Sequence, residues 1–121
     1  MFERGDKEFI LDMLICCRNI LEYTQGMDFK TFSRDKKTID AVIRNFEILG
    51  EAARNISNEF KREYSEINWR IIKGMRDKLI HFYFGVDKEI VWKTVIKDIP
   101  ELKNKLEKIV RDKGWEKEIE N

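Results

Sequence analysis

Thr38-Ile39-Asp40-Ala41-Val42-Ile43-Arg44-Asn45-Phe46-Glu47-Ile48-Leu49-Gly50-Glu51-Ala52-Ala53-Arg54-Asn55-Ile56 is the stretch that decides the fold class. Its apolar residues Ile39, Val42, Ile43, Phe46, Leu49, Ala53 and Ile56 recur in steps of mostly three and four, the period of one helix face. The charges Asp40, Arg44, Glu47 and Arg54 fall between them. Gly50-Glu51-Ala52-Ala53 is small on one side, which lets another helix approach closely. This helix is expected to start near Ser33.

The same period extends in both directions. Towards the N-terminus, a helix starts near Asp6 as N-cap and carries Phe9, Ile10, Met13, Leu14, Cys17, Ile20 and Leu21. Gly26 fits its C-terminal stop, and Met27 to Phe32 reads as a loop. Towards the C-terminus, Ser57 caps a short helix ending near Tyr64. Asn68 caps a helix from Trp69 to about Phe84, which Gly85 can end in a left-handed turn. Asp87 caps a fifth helix with Ile90, Val91, Thr94 and Val95. Pro100, the single proline, suits the first turn of a last helix with Leu102, Leu106, Ile109 and Val110. The tail after Gly114 is charged, with Trp115 able to dock. Strand-like alternation is missing, so the expectation is all-α: a single domain over residues 1–121, an up-and-down bundle of four to five antiparallel helices.

Composition narrows the function classes. The 24 basic side chains face 23 acidic ones, for a net charge of +1, so any polyanion site must be a local patch. Cys16 and Cys17 are adjacent and cannot staple distant elements, which points to a reduced, cytoplasmic setting and to helix-packing roles. No apolar run is long enough to cross a membrane, and no signal-peptide core stands at the start. Abundant Ile, Lys and Glu with one Gln lean towards a thermophilic prokaryote. One histidine and two adjacent cysteines give no zinc spacing, and there is no P-loop or dinucleotide-binding glycine fingerprint. Neither a metal nor a cofactor is expected.

Arg76-Asp77-Lys78-Leu79-Ile80-His81-Phe82-Tyr83 holds the only histidine. Arginine grips phosphate through a planar fork of donors, and histidine moves protons near neutral pH. A surface histidine on an amphipathic helix is the plainer reading of the spacing. On a helical wheel Ile72, Met75, Leu79, Phe82 and Val86 form an apolar stripe, with Arg70, Asp77 and His81 opposite. Asp77, four residues before His81, can orient the ring and favour its charged form. Arg76 lies about 140° from His81 on an ideal helix, close to the apolar stripe and in line with Tyr83. That position is costly unless the charge is paired or the face is not a closed core. Glu51 is one candidate partner; a subunit interface is the other solution, and a snorkelling arginine a third. Arg70, Lys73, Arg76 and Lys78 make this helix locally basic, either as a solvated face or as an RNA contact. Trp69, Phe82, Tyr83 and Phe84 interleave with those cations and are candidates for base stacking or for the core.

With these residues in place, Arg76, four residues, His81, one residue and Tyr83 resemble the R-x4-H-x-Y motif of the HepT-like toxins of the HEPN superfamily. Ile48-Leu49-Gly50-Glu51-Ala52-Ala53 resembles the family's preceding helix, and Asn68-Trp69 with Gly74-Met75-Arg76 its lead-in to the motif. Val86-Asp87, Val91-Trp92 and Asp98-Ile99-Pro100-Glu101-Leu102 resemble its C-terminal part, so the likeness covers roughly residues 40 to 106. Asp77 stands where the family often has asparagine. The resemblance implies a helical bundle that forms a homodimer with two motif helices lining a shared cleft. It implies metal-independent endoribonuclease activity through the ribose 2′-OH, with Arg76 and His81 catalytic; Asp77 and Glu51, from their positions, are the candidate supporting residues. Arg70, Lys73 and Lys78 are the candidate RNA contacts. It further implies a type VII toxin–antitoxin pair, whose minimal nucleotidyltransferase antitoxin transfers AMP to Tyr83. The competing readings are a non-catalytic helical nucleotide- or substrate-binding partner of a nucleotidyltransferase, and an adaptor bundle whose motif face is only an interface.

Overall fold

A computed structural model describes residues 4–75 and 87–119, and every regular element among them is helical. The all-α expectation holds. α1 (Asp6–Tyr23) packs against α3 (Lys36–Arg54) on one side and α7 (Ile99–Lys113) on the other. Asn19 of α1 meets Asn45 of α3, whereas Asp6 at the other end of α1 meets Ser57, just past α3. Arg18 likewise meets Glu107 of α7, and Lys7 meets Glu118 beyond it. Both neighbours therefore run antiparallel to α1. Among the described residues these three long helices form the centre of the bundle, and the shorter helices pack around them.

The apolar stripes read from the sequence are the core. Ile10, Met13, Leu14, Cys17 and Ile20 of α1 are buried, as are Ile39, Val42, Ile43, Phe46 and Leu49 of α3 and Leu102, Leu106, Ile109 and Val110 of α7. Gly50, Ala52 and Ala53 are buried too, while Glu51 between them is exposed. Small residues there let the helix backbone sit close to its neighbours. One polar pair crosses the α1–α3 seam: Asn19 Nδ2 donates to Asn45 Oδ1 at 3.2 Å, and Asn45 Nδ2 donates to the Ala41 carbonyl at 2.9 Å. Satisfied in this way, the buried Asn45 avoids the penalty of an unpaired amide.

Four boundaries differ from expectation. Gly5, not Asp6, caps α1, with its N–H donating to Glu8 Oε1 at 2.8 Å. The Asp6 carboxylate is instead used across the fold, accepting from Ser57 N–H at 2.8 Å and Ser57 Oγ at 2.7 Å. Secondly, Met27 to Phe32 is not all loop: Asp28 accepts from Thr31 N–H at 2.8 Å and starts α2 (Phe29–Arg34). This helix is under two turns long, too short to display a period, and it is held by the fully buried Phe32. Thirdly, α3 starts after Asp35, whose side chain accepts from Thr38 N–H at 3.0 Å. Ser33 turns its hydroxyl back to the Lys30 carbonyl at 2.9 Å and caps nothing.

Fourthly, the fifth and last helices are not separate. α6 (Lys88–Lys93), capped by Asp87, runs through a π-helical segment (Thr94–Asp98) directly into α7. Pro100 explains the widened turn: it offers no N–H and its ring crowds the carbonyl four residues back. Elsewhere the expected signals operate. Ser57 caps α4 (Asn58–Glu63), accepting from Phe60 N–H at 3.1 Å. Gly114, which the sequence reading placed only at the start of the charged tail, stands at φ 72°, ends α7 and lets Trp115 N–H donate to the Val110 carbonyl at 2.9 Å. Trp115 then stacks on Phe60 with ring centroids 6.4 Å apart. Among the described residues no helix is long and apolar enough to cross a membrane.

Candidate functional site

The helix that leads to the single histidine, α5, is set by its first two turns. Asn68 Oδ1 accepts from Ile71 N–H at 3.2 Å, and helical residues follow from Trp69, described to Met75. Ile72 and Met75 are buried, while Arg70 and Lys73 are exposed. The predicted wheel is therefore correct over this stretch: apolar residues enter the core and the two cations stand in solvent. Ile71 is exposed and borders a small cleft of about 60 Å³ between α5 and the start of α7, with Asp98, Glu101 and Lys105 on the opposite wall. Lys105 spans that wall, pairing with Glu101 at 3.1 Å and donating to the Glu66 carbonyl at 2.7 Å.

Trp69 is partly buried, and its indole N–H donates to the Tyr64 carbonyl at 3.2 Å. The Lys61 ammonium lies over its ring, 6.0 Å from the centroid. Sequence reasoning missed Lys61. It sits on α4, eight residues before Trp69, and no local spacing links a cation on one helix to an aromatic on the next.

Beyond the histidine, the chain is fastened to α2. Lys88 donates to the Ser33 carbonyl at 2.9 Å, and Trp92 packs on Phe32 with centroids 4.9 Å apart. The Lys88 link also escaped sequence reasoning, since 55 residues separate donor and acceptor. Arg76, Asp77, Lys78, His81 and Tyr83 themselves lie outside the described residues, as do the proposed Arg76–Glu51 pairing and the stop at Gly85. Of the candidate site residues, Glu51, Arg70 and Lys73 are described, and all three are exposed on α3 and α5.

The cysteines are buried and free of disulfides. Burial, reinforced by Asp12, pushes the Cys16 thiol up to about 12. Burial also raises Cys17, with Cys16 adding to it. A thiolate nucleophile is thereby disfavoured at both, in keeping with their packing role.

A family profile described as "Ribonuclease HepT-like" matches residues 13–109. The chain is 51% identical over 107 residues to a protein of Thermococcus cleftensis named "Probable ribonuclease HepT", covering 88% of this chain and 97% of that one. It is 42% identical over 95 residues to a protein of Caldanaerobacter subterraneus named "Putative RNase", covering 78% of this chain and 85% of the other. A Methanocaldococcus jannaschii protein, also named "Putative RNase", is 39% identical over 112 residues, 93% of each chain. No solved structure matches.

Proposed function

The chain belongs to the HepT-like ribonuclease family, and from that membership we propose that it is a metal-independent endoribonuclease, the toxin of a type VII toxin–antitoxin pair. The observation that carries this reading is the R-x4-H-x-Y arrangement of Arg76, His81 and Tyr83, in a chain whose relatives are named as ribonucleases. The exposed cations Arg70 and Lys73 at the entry to the same helix support it.

In the proposed reaction the ribose 2′-OH attacks the adjacent phosphorus. The P–O5′ bond breaks, leaving a 2′,3′-cyclic phosphate and a free 5′-hydroxyl. His81 takes the 2′-OH proton, Arg76 holds the charge that develops on the phosphorane, and an acid returns a proton to the departing 5′-oxygen. A dimer offers the partner copy's histidine for that last step. Asp77 favours the charged imidazole, Glu51 orients Arg76, and Arg70, Lys73 and Lys78 hold flanking phosphates. The partner is a minimal nucleotidyltransferase antitoxin that attaches AMP to Tyr83, placing a phosphate where Arg76 would grip RNA.

The test is cleavage of single-stranded RNA in EDTA. Wild type should cut, leaving cyclic phosphate ends, and His81→Ala should lose activity by about 100-fold or more. Equal cleavage by the two proteins would overturn the assignment. Tight nucleotide binding without cleavage would favour the non-catalytic binding-partner reading.

A further inference from the structure

Trp69 combines three features that a buried structural indole does not need together. Its N–H is fixed on the Tyr64 carbonyl at 3.2 Å, which sets the plane of the ring. The residue packs against the core yet is only half-buried. A lysine from a different helix, Lys61, sits over the ring at 6.0 Å from the centroid. Lys73 is four residues on along α5, on the same side as Trp69, and Arg70 follows directly; both are exposed. An indole of fixed plane with one cation over its ring, and two exposed cations close by on the same helix, matches what an unstacked nucleobase requires: an aromatic face for the base and positive charge for the phosphates on either side.

We propose that Trp69 is the stacking platform for one base of single-stranded RNA, with Lys61 and Lys73 taking the flanking phosphates. The proposal rests on the ribonuclease reading and deepens it by giving the substrate a fixed point outside the R-x4-H-x-Y residues. When the base arrives, the Lys61 ammonium leaves the ring for a phosphate oxygen, so one weak contact is exchanged for a stacked base and an ion pair. Trp69 stands seven residues before Arg76 in the sequence. The platform would therefore fix the register of the strand, not the chemistry at the cleaved bond.

The experiment uses a chain carrying Trp92→Phe and Trp115→Phe, so that Trp69 is the only tryptophan. Both replacements keep a ring on Phe32 and Phe60. The probe is a 2′-O-methylated oligonucleotide of twelve residues, which lacks the free 2′-OH and survives binding. Binding is followed by fluorescence anisotropy of a labelled probe and, separately, by Trp69 emission. The expected result is quenching that saturates with the anisotropy, and no quenching by inorganic polyphosphate. Trp69→Leu, made in the wild-type chain, should weaken binding about tenfold and Trp69→Phe much less. Lys61→Gln and Lys73→Gln should each reduce the salt slope by about 0.7 log unit. Binding with unchanged Trp69 emission would overturn the platform and leave the ribonuclease reading standing. Equal quenching by polyphosphate would also overturn it. Failure of the probe to bind at all would overturn the platform, while cleavage of RNA in EDTA decides the ribonuclease reading separately. The emission measurement is made on the native indole, so it holds whether or not Trp69→Leu folds.

Discussion

Tyr83 is the residue through which the proposed switch acts. Under the proposed reading, the phenol two positions past His81 would accept AMP, and the added phosphate would compete with RNA for Arg76. Tyr83→Phe should keep most of the ribonuclease activity and escape inactivation by the nucleotidyltransferase and ATP. Intact mass before and after incubation decides: an AMP gain on wild type alone supports the switch, and equal gains on both proteins sink it. Cys16 offers a second test at this scale. Its thiol is raised by burial to about 12, above an ordinary value of 9.0. The folded state thus holds its proton more tightly than the unfolded chain. The resulting stability is fully present below pH 9.0 and is lost as pH rises towards 12. Urea unfolding of wild type between pH 8 and 11 should show falling stability, and Cys16→Ala should show a shallower fall. Parallel pH curves for the two proteins would count against a buried, protonated thiol.

Among the elements, the short helices depend most on their caps. α4 has six residues, too few to be stable alone, and it starts on Ser57. That serine both accepts from Phe60 N–H and donates to Asp6, tying the start of α4 to the start of α1. Ser57→Ala removes the cap and one of the two bonds to Asp6, and should cost about 1–2 kcal/mol in chemical denaturation. A change below about 0.3 kcal/mol would mean that the Ser57 hydroxyl bonds to Asp6 and Phe60 N–H are not formed in solution. The same dependence on caps explains which elements were legible. α3 displays its period over five turns and was readable at once; α2 has only Phe32 to bury. The cap at Asp28 was visible in principle, but an aspartate before an aromatic is a common loop pattern as well. Ser33 is the start of α3 expected from the sequence. The structure chooses Asp35 because its carboxylate meets the free N–H of Thr38 while Ser33 bonds backwards to Lys30.

For the whole molecule, the proposed chemistry is suited by a homodimer. With one histidine per chain, a partner copy can supply the second proton-transfer group, and on the helical wheel of the sequence Arg76 and Tyr83 fall on the apolar side, which suits a wet interface better than a closed core. Light scattering at micromolar concentration should give twice the chain mass. A monomer with full ribonuclease activity would remove the shared cleft. The sequence by itself determined the helical class, the buried faces of α1, α3 and α7 and of α5 as far as Met75, and the caps at Ser57, Asn68 and Asp87. Each of these is a local matter of period or of one side chain reaching a backbone group within a few residues. The R-x4-H-x-Y spacing was likewise legible, being contained in eight consecutive positions. What only the tertiary structure decided is long-range. The pairing of Asp6 with Ser57, the Lys88 link to Ser33, the Lys61 ammonium over Trp69 and the continuous rod from α6 to α7 all depend on how helices meet. Side-chain contacts between elements follow from packing geometry in three dimensions, and a linear period carries no record of which neighbour a face will meet.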